Sequence, residues 1–143
     1  MSDGSLNPER KVAIRVVESS PWHKAWAWEI SANAGPYSSK RICVANAETS
    51  DGLLLIVADE LTAMTRAEYR AAGRAGNPRF IFIKDGIAQT DELARFIRRE
   101  RATGAITRQF RNLAELRTEI RTALRAYGVR SHRVTILLAR REA

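Results

Sequence analysis

The chain is short of almost everything that marks a ready-made active site. It has one cysteine, Cys43, and two histidines, His23 and His132, in 143 residues. A lone cysteine closes no intramolecular disulfide, and nothing spaces Cys and His as a zinc site does. Cys43 sits in a strand-like segment and reads as a small buried hydrophobe. No metal is therefore expected. The few glycines form neither G-x-G-x-x-G nor a P-loop, which argues against a dinucleotide dehydrogenase or an NTPase. No apolar run approaches the roughly 20 residues of a membrane span. The opening MSDGSLNPER lacks the basic-then-apolar pattern of a secretory signal, so a cytoplasmic protein with no membrane contact is expected.

Lysine is scarce as well, at four against 20 arginines. The formal net charge is +8 and it is uneven. Residues 1–94 carry 11 basic and 12 acidic side chains, whereas residues 95–143 carry 13 Arg and 4 Glu. Arginine forks suit phosphate and carboxylate partners. Codon bias with a solvated basic face accounts for the excess without a partner. The alternative is an anionic partner: a nucleotide, a nucleic acid or an acidic protein surface.

What the chain does have is apolar residues, 45% of the total, in short blocks. That amount and length fit one globular domain with a full core. Residues 1–10 read as a polar disordered tail, 11–127 as the domain, and 128–143 as a basic extension. Lys11–Val17, β-branched and apolar, is the expected first strand. Ser20 and Pro21 then offer a helix start, running to about Asn33, with Trp22 and Trp26 on one face and Trp28 elsewhere. Arg41–Ala45, Gly52–Ala58 and Arg79–Lys84 are the next strands. A helix is expected from near Thr65 to Gly76-Asn77-Pro78. Thr90 caps another whose first turn holds Asp91 and Glu92. A short strand passes through Ile106–Phe110. Asn112 and Glu115 form a capping pair for a helix that buries Leu113, Leu116, Ile120 and Leu124. Arg117, Arg121 and Arg125 make a basic stripe on its other side. The tail SHRVTILLARREA fits a sixth strand or a docked helix.

The densest information lies between Asp51 and Gly86. A buried strand, an acidic loop, a helix, a Gly-Asn-Pro break and a second buried strand make one βαβ unit. Such units build parallel sheets that bind ligands at the carboxyl ends of their strands. The residues Asp51, Leu53–Val57, Thr65, Glu68, Tyr69, Ala71, Ala72, Pro78 and Phe80–Asp85 set a pattern that Phe96, Ile97, Gln109, Phe110 and Leu113–Leu116 continue. Over roughly residues 11–126 it resembles the TIR-like domains of unknown function of bacterial signalling and defence proteins. The resemblance implies an α/β, flavodoxin-like three-layer sandwich with a mainly parallel five-stranded sheet. It also implies binding of a nucleotide such as NAD, as substrate rather than cofactor. In active relatives a helix-borne Glu acts on the ribose as the N-glycosidic bond is cut, and Glu68 matches that place. The chain departs from the pattern after the first expected strand, where it has Glu18-Ser19-Ser20-Pro21-Trp22 rather than Ser-Ser-Thr.

Each candidate residue has two readings. Glu68 is a carboxylate fit to stabilise an oxocarbenium-like ribosyl centre, or the last member of a Thr65-x-x-Glu68 capping box. Ser19 and Ser20 are anion ligands at a helix N-terminus, or plain N-caps. Asp59 and Glu60 join Glu68 in an acid–base cluster, or form a solvated loop. Lys84 holds a phosphate, or belongs with Asp85 to an ordinary turn. Tyr69 stacks on a base, or packs in the core. Trp22 and Trp26 are core, or an aromatic patch used for association. The expectation is a nucleotide-binding domain that self-associates or meets a partner domain, with glycosidic cleavage left open. A non-catalytic assembly module is the alternative. Nucleic-acid binding through Arg117, Arg121, Arg125, Arg130 and Arg133 is less favoured.

Overall fold

The computed structural model describes residues 6–19, 24–26, 52–61, 63–74, 76, 78–126 and 133–139. Among them the order is α1 (Asn7–Glu18), β1 (Lys24–Trp26), β2 (Gly52–Val57), α2 (Ala63–Arg74), β3 (Arg79–Lys84), α3 (Asp91–Ala102), β4 (Ile106–Phe110), α4 (Leu113–Ala126) and β5 (Arg133–Ala139). All strand pairs are parallel, in the order β1-β5-β2-β3-β4. The fold is α/β with a parallel sheet.

Pleating divides the core. Leu54, Ile56, Phe80 and Phe82 point to one face, against Val12, Ala13, Val16 and Val17 of α1 and Leu116, Ile120 and Leu124 of α4. Leu53, Leu55, Val57, Ile81 and Ile83 point to the other, against Tyr69 and Ala71 of α2 and Leu93, Phe96 and Ile97 of α3. Alternate residues of one strand thus feed two layers. All six residues of β2 are buried, as expected of a strand covered on both faces.

Three of the expected strands lie where the sequence places them: β2, β3 and β4. The first does not. Lys11–Val17 lies within α1, which also takes in Asn7–Arg10 of the supposed disordered tail. Glu9, Val12, Ala13, Val16 and Val17 are the buried positions, and their spacing is one helical stripe. Proline at the first turn favours the same helix start. Tertiary packing against α4 overrides the β propensity of the valines. Lys24–Trp26, expected within a helix, is a strand pairing with β5 through Ala25↔Val134 and its neighbours. The expected strand 41–45, Cys43, Trp22 and Trp28 lie outside the described residues.

The supposed C-terminal extension supplies β5, which lies between β1 and β2 inside the sheet. The caps of the later helices form largely as read. Thr90 Oγ1 accepts from Leu93 N at 3.2 Å, and Asn112 Oδ1 accepts from Glu115 N at 2.9 Å. Leu113, expected in the buried face of α4, is instead 38% exposed. Gly86 closes the Lys84-Asp85-Gly86 turn with φ of 79°, a conformation that L side chains rarely adopt.

Candidate functional site

In an open parallel sheet the chain leaves opposite faces where the strand order reverses, and a crevice opens at the carboxyl edge there. Here β5 and β2 are neighbours, and the helix that precedes β5 (α4) and the helix that follows β2 (α2) lie on opposite faces of the sheet. Helix α2 packs on both of these strands and carries Thr65 and Glu68. The loop after β2 brings Asp59 and Glu60 to the same edge, half-buried. Thr90 N donates to Asp59 O at 2.9 Å, which ties the loop before α3 to the loop after β2. Arg66 and Glu92 add an ion pair between α2 and α3.

Glu68 is 5% exposed and Thr65 7%. They lie three apart in sequence, on one face of the helix. Because α2 begins at Ala63, Thr65 is already inside it, so the expected box with Thr65 as N-cap does not form. A carboxylate this deep in a helix–sheet interface has been carried out of water at substantial cost.

A second buried carboxylate, Glu9 in the first turn of α1, is 4% exposed and was not singled out in the sequence. Its Oε2 accepts from Lys84 Nζ at 2.8 Å, while its Oε1 is buried without a hydrogen bond. Lys84, the expected phosphate holder at the end of β3, therefore spends its charge on Glu9. Only the helical register of 9, 12, 13, 16 and 17 could have revealed Glu9 beforehand.

Beyond β4 an open groove of about 590 Å³ is lined by Asp85, Gln109, Arg111, Asn112, Glu115 and Thr118, among others. Glu115 accepts from Arg111 N at 2.8 Å and from its guanidinium at 2.9 and 2.6 Å. The return arm of the expected capping pair thus reaches Arg111 rather than Asn112. Those Arg111 bonds hold the Glu115 carboxyl below its ordinary value of 4.5. A depressed folded pKa gives stability that is present above the ordinary value and lost as pH falls through the folded one. The first turn of α4 is accordingly expected to loosen only in acid below 4.5. An NMR titration of Glu115 with a midpoint at or above 4.5 would contradict this.

The other expected residues scatter. Ser19 ends α1, where its Oγ donates to Val16 O at 2.6 Å and its N donates to Arg15 O at 2.9 Å. It marks a helix C-terminus, not the N-terminus that an anion would seek. Ser20 lies outside the described residues. Tyr69 is 1% exposed and packs edge-on against Phe96, with centroids 5.1 Å apart. Arg79, the first residue of β3, lies over its ring. Arg117, Arg121 and Arg125 are all exposed on α4. Among the described residues no group of three or more His, Cys, Asp or Glu could hold a metal. None of their helices is long and apolar enough to cross a membrane.

The parallel sheet with helices packed on both of its faces defines an α/β domain. The sequence profile of a domain of unknown function, DUF4062, matches residues 4–125. The chain belongs to that family. Neither the curated proteins nor the solved structures yield a match.

Proposed function

We propose that this is a TIR-like domain of a bacterial signalling or defence system that binds NAD or a related nucleotide at the carboxyl edge and hydrolyses its N-glycosidic bond. The observation that carries the reading is Glu68, a buried carboxylate on the helix that packs on β2 and β5. The topology supports it. Read cyclically from β5, the order β1-β5-β2-β3-β4 becomes 2-1-3-4-5, the flavodoxin-like order whose switch point is a nucleotide site. Glu68 then faces the ribose. Its charge stabilises the oxocarbenium-like centre as the C–N bond breaks and the base leaves with the electron pair. Water bonds to the anomeric carbon and gives up its proton. In this reading Asp59 or Glu60, in the loop after β2, receives that proton.

A second reading is a non-catalytic assembly module, for which the exposed arginine stripe of α4 speaks. The two separate in one experiment. The full chain is incubated with NAD over a wide range of protein concentrations, with Glu68→Gln alongside. Nicotinamide release is expected, reduced about a hundredfold or more in the variant. No release at any concentration, from wild type and variant both folded, sinks the hydrolase reading and favours the module.

A further inference from the structure

The opposite, amino edge of the sheet has a site of its own. A groove of about 540 Å³ lies between the last turns of α2 and α3 and the start of β3. That size falls within the range of small-molecule pockets. Arg70 and Arg74 enter from α2, Arg79 from β3 and Arg99 from α3. Among the described residues the only acidic group lining the groove is Glu100, which Arg79 Nη1 meets at 3.0 Å. Arg70, Arg74 and Arg99 are exposed, and their guanidinium groups have no ion pair or hydrogen bond with the described residues. Helix C-termini attract cations, but each end carries only about half a charge. Three uncompensated guanidinium groups around one concavity exceed that need.

The floor of the groove is Tyr69. Its side chain is buried, yet its hydroxyl has no hydrogen bond. Burial pushes the phenol well above its ordinary pKa, Glu100 adds to this and Arg79 opposes it, so the hydroxyl keeps its proton as a donor. Arg79 lies over the ring, 5.2 Å from the centroid. A Cβ at Gly73 would stand 3.0 Å from Arg79 Nη1, so the absence of a side chain there makes room for the guanidinium. Beside this phenol the carboxylate of Glu100 is already held by Arg79, so the surrounding arginine forks are left to meet an anion with several oxygens.

We propose that this groove binds an anion carrying linked phosphates, of the pyrophosphate or nucleoside diphosphate class. A single phosphate leaves part of the positive charge unanswered, whereas linked phosphates engage several forks at once. The size of the groove suits a small ligand, and the arginine stripe expected to meet a nucleic acid lies on α4, against the other face of the sheet. The site shares no residue with the carboxyl-edge crevice, so it stands or falls independently of the hydrolase reading.

Calorimetric titration of the full chain at low ionic strength tests the proposal, with inorganic pyrophosphate and ADP as separate arms. The arms distinguish a bare polyphosphate from a nucleotide. At least one is expected to bind, with affinity lower by about tenfold or more in Arg74→Ala/Arg99→Ala. Tyr69→Phe is expected to bind several-fold more weakly while melting as wild type does. Arg117→Ala/Arg121→Ala is expected to leave binding unchanged. Binding of neither probe, equal affinity in the Arg74→Ala/Arg99→Ala or Tyr69→Phe variant, or equal losses in both arginine pairs would overturn the site.

Discussion

Ending the chain after Ala126 is expected to abolish its cooperative thermal transition. Strand β5 is not an appendage to the sheet but an interior member. It pairs with β1 from Lys24↔Arg133 to Trp26↔Thr135 and with β2 from Gly52↔Val134 to Val57↔Ala139. Removing it leaves β1 without its partner in the sheet and opens one side of β2, the most apolar strand. Ile136 leaves the core as well. Each ladder hydrogen bond contributes about 1 kcal/mol net. Losing both ladders consumes a stability that is only about 5–15 kcal/mol for a whole domain. The family match ends at residue 125, before this strand begins. Circular dichroism melts of the full and shortened chains decide the matter. A shortened chain that unfolds cooperatively within a few degrees of the full one would show that β5 is dispensable.

That strand also shows what the sequence could and could not reveal. VTILLA is too short and too uniformly apolar for its period to separate strand from helix. Its place is decided by pairing with residues some 80 positions away, which composition does not register. At Lys11–Val17 the apolar run hides a helical stripe that becomes visible only when Glu9 joins it. By contrast, β2 and β3 were legible because their blocks are bounded by turn residues, and Thr90 was legible because a cap is a local device. Covered central strands and caps are local signals, whereas strand order is a property of the whole chain.

The candidate site divides in the same way. Glu68 and Thr65 carry a local motif that misleads about their role, because the helix starts three residues earlier than a cap at Thr65 requires. Glu9 and Lys84 meet across 75 positions, and Arg79 and Glu100 across 21. Neither pair has a sequence signature. Tyr69 reads in the sequence as a stacking partner for a base or as packing, and only the structure, with Phe96 edge-on to it, shows the packing.

Phe82→Ala is expected to cost about 3–5 kcal/mol, the range for large-to-small changes at well-packed positions. Phe82 is 1% exposed in β3 and belongs to the core cluster that holds Phe80, Phe110, Leu116 and Ile120. Its ring stands between the sheet and the α1–α4 layer. Those helices touch each other as well as the sheet, so their backbones have little freedom to collapse onto the space it leaves. The midpoint of thermal unfolding should fall by roughly 10–20 °C. Leu113→Ala supplies the contrast. Leu113 is 38% exposed at the start of α4, so its truncation should change stability by no more than about 0.5 kcal/mol. Denaturant unfolding of both variants measures the difference directly. Similar costs for the two would mean that α1 and α4 do not pack over Phe82 as described, and the assignment of α1 as a core helix would fall with them.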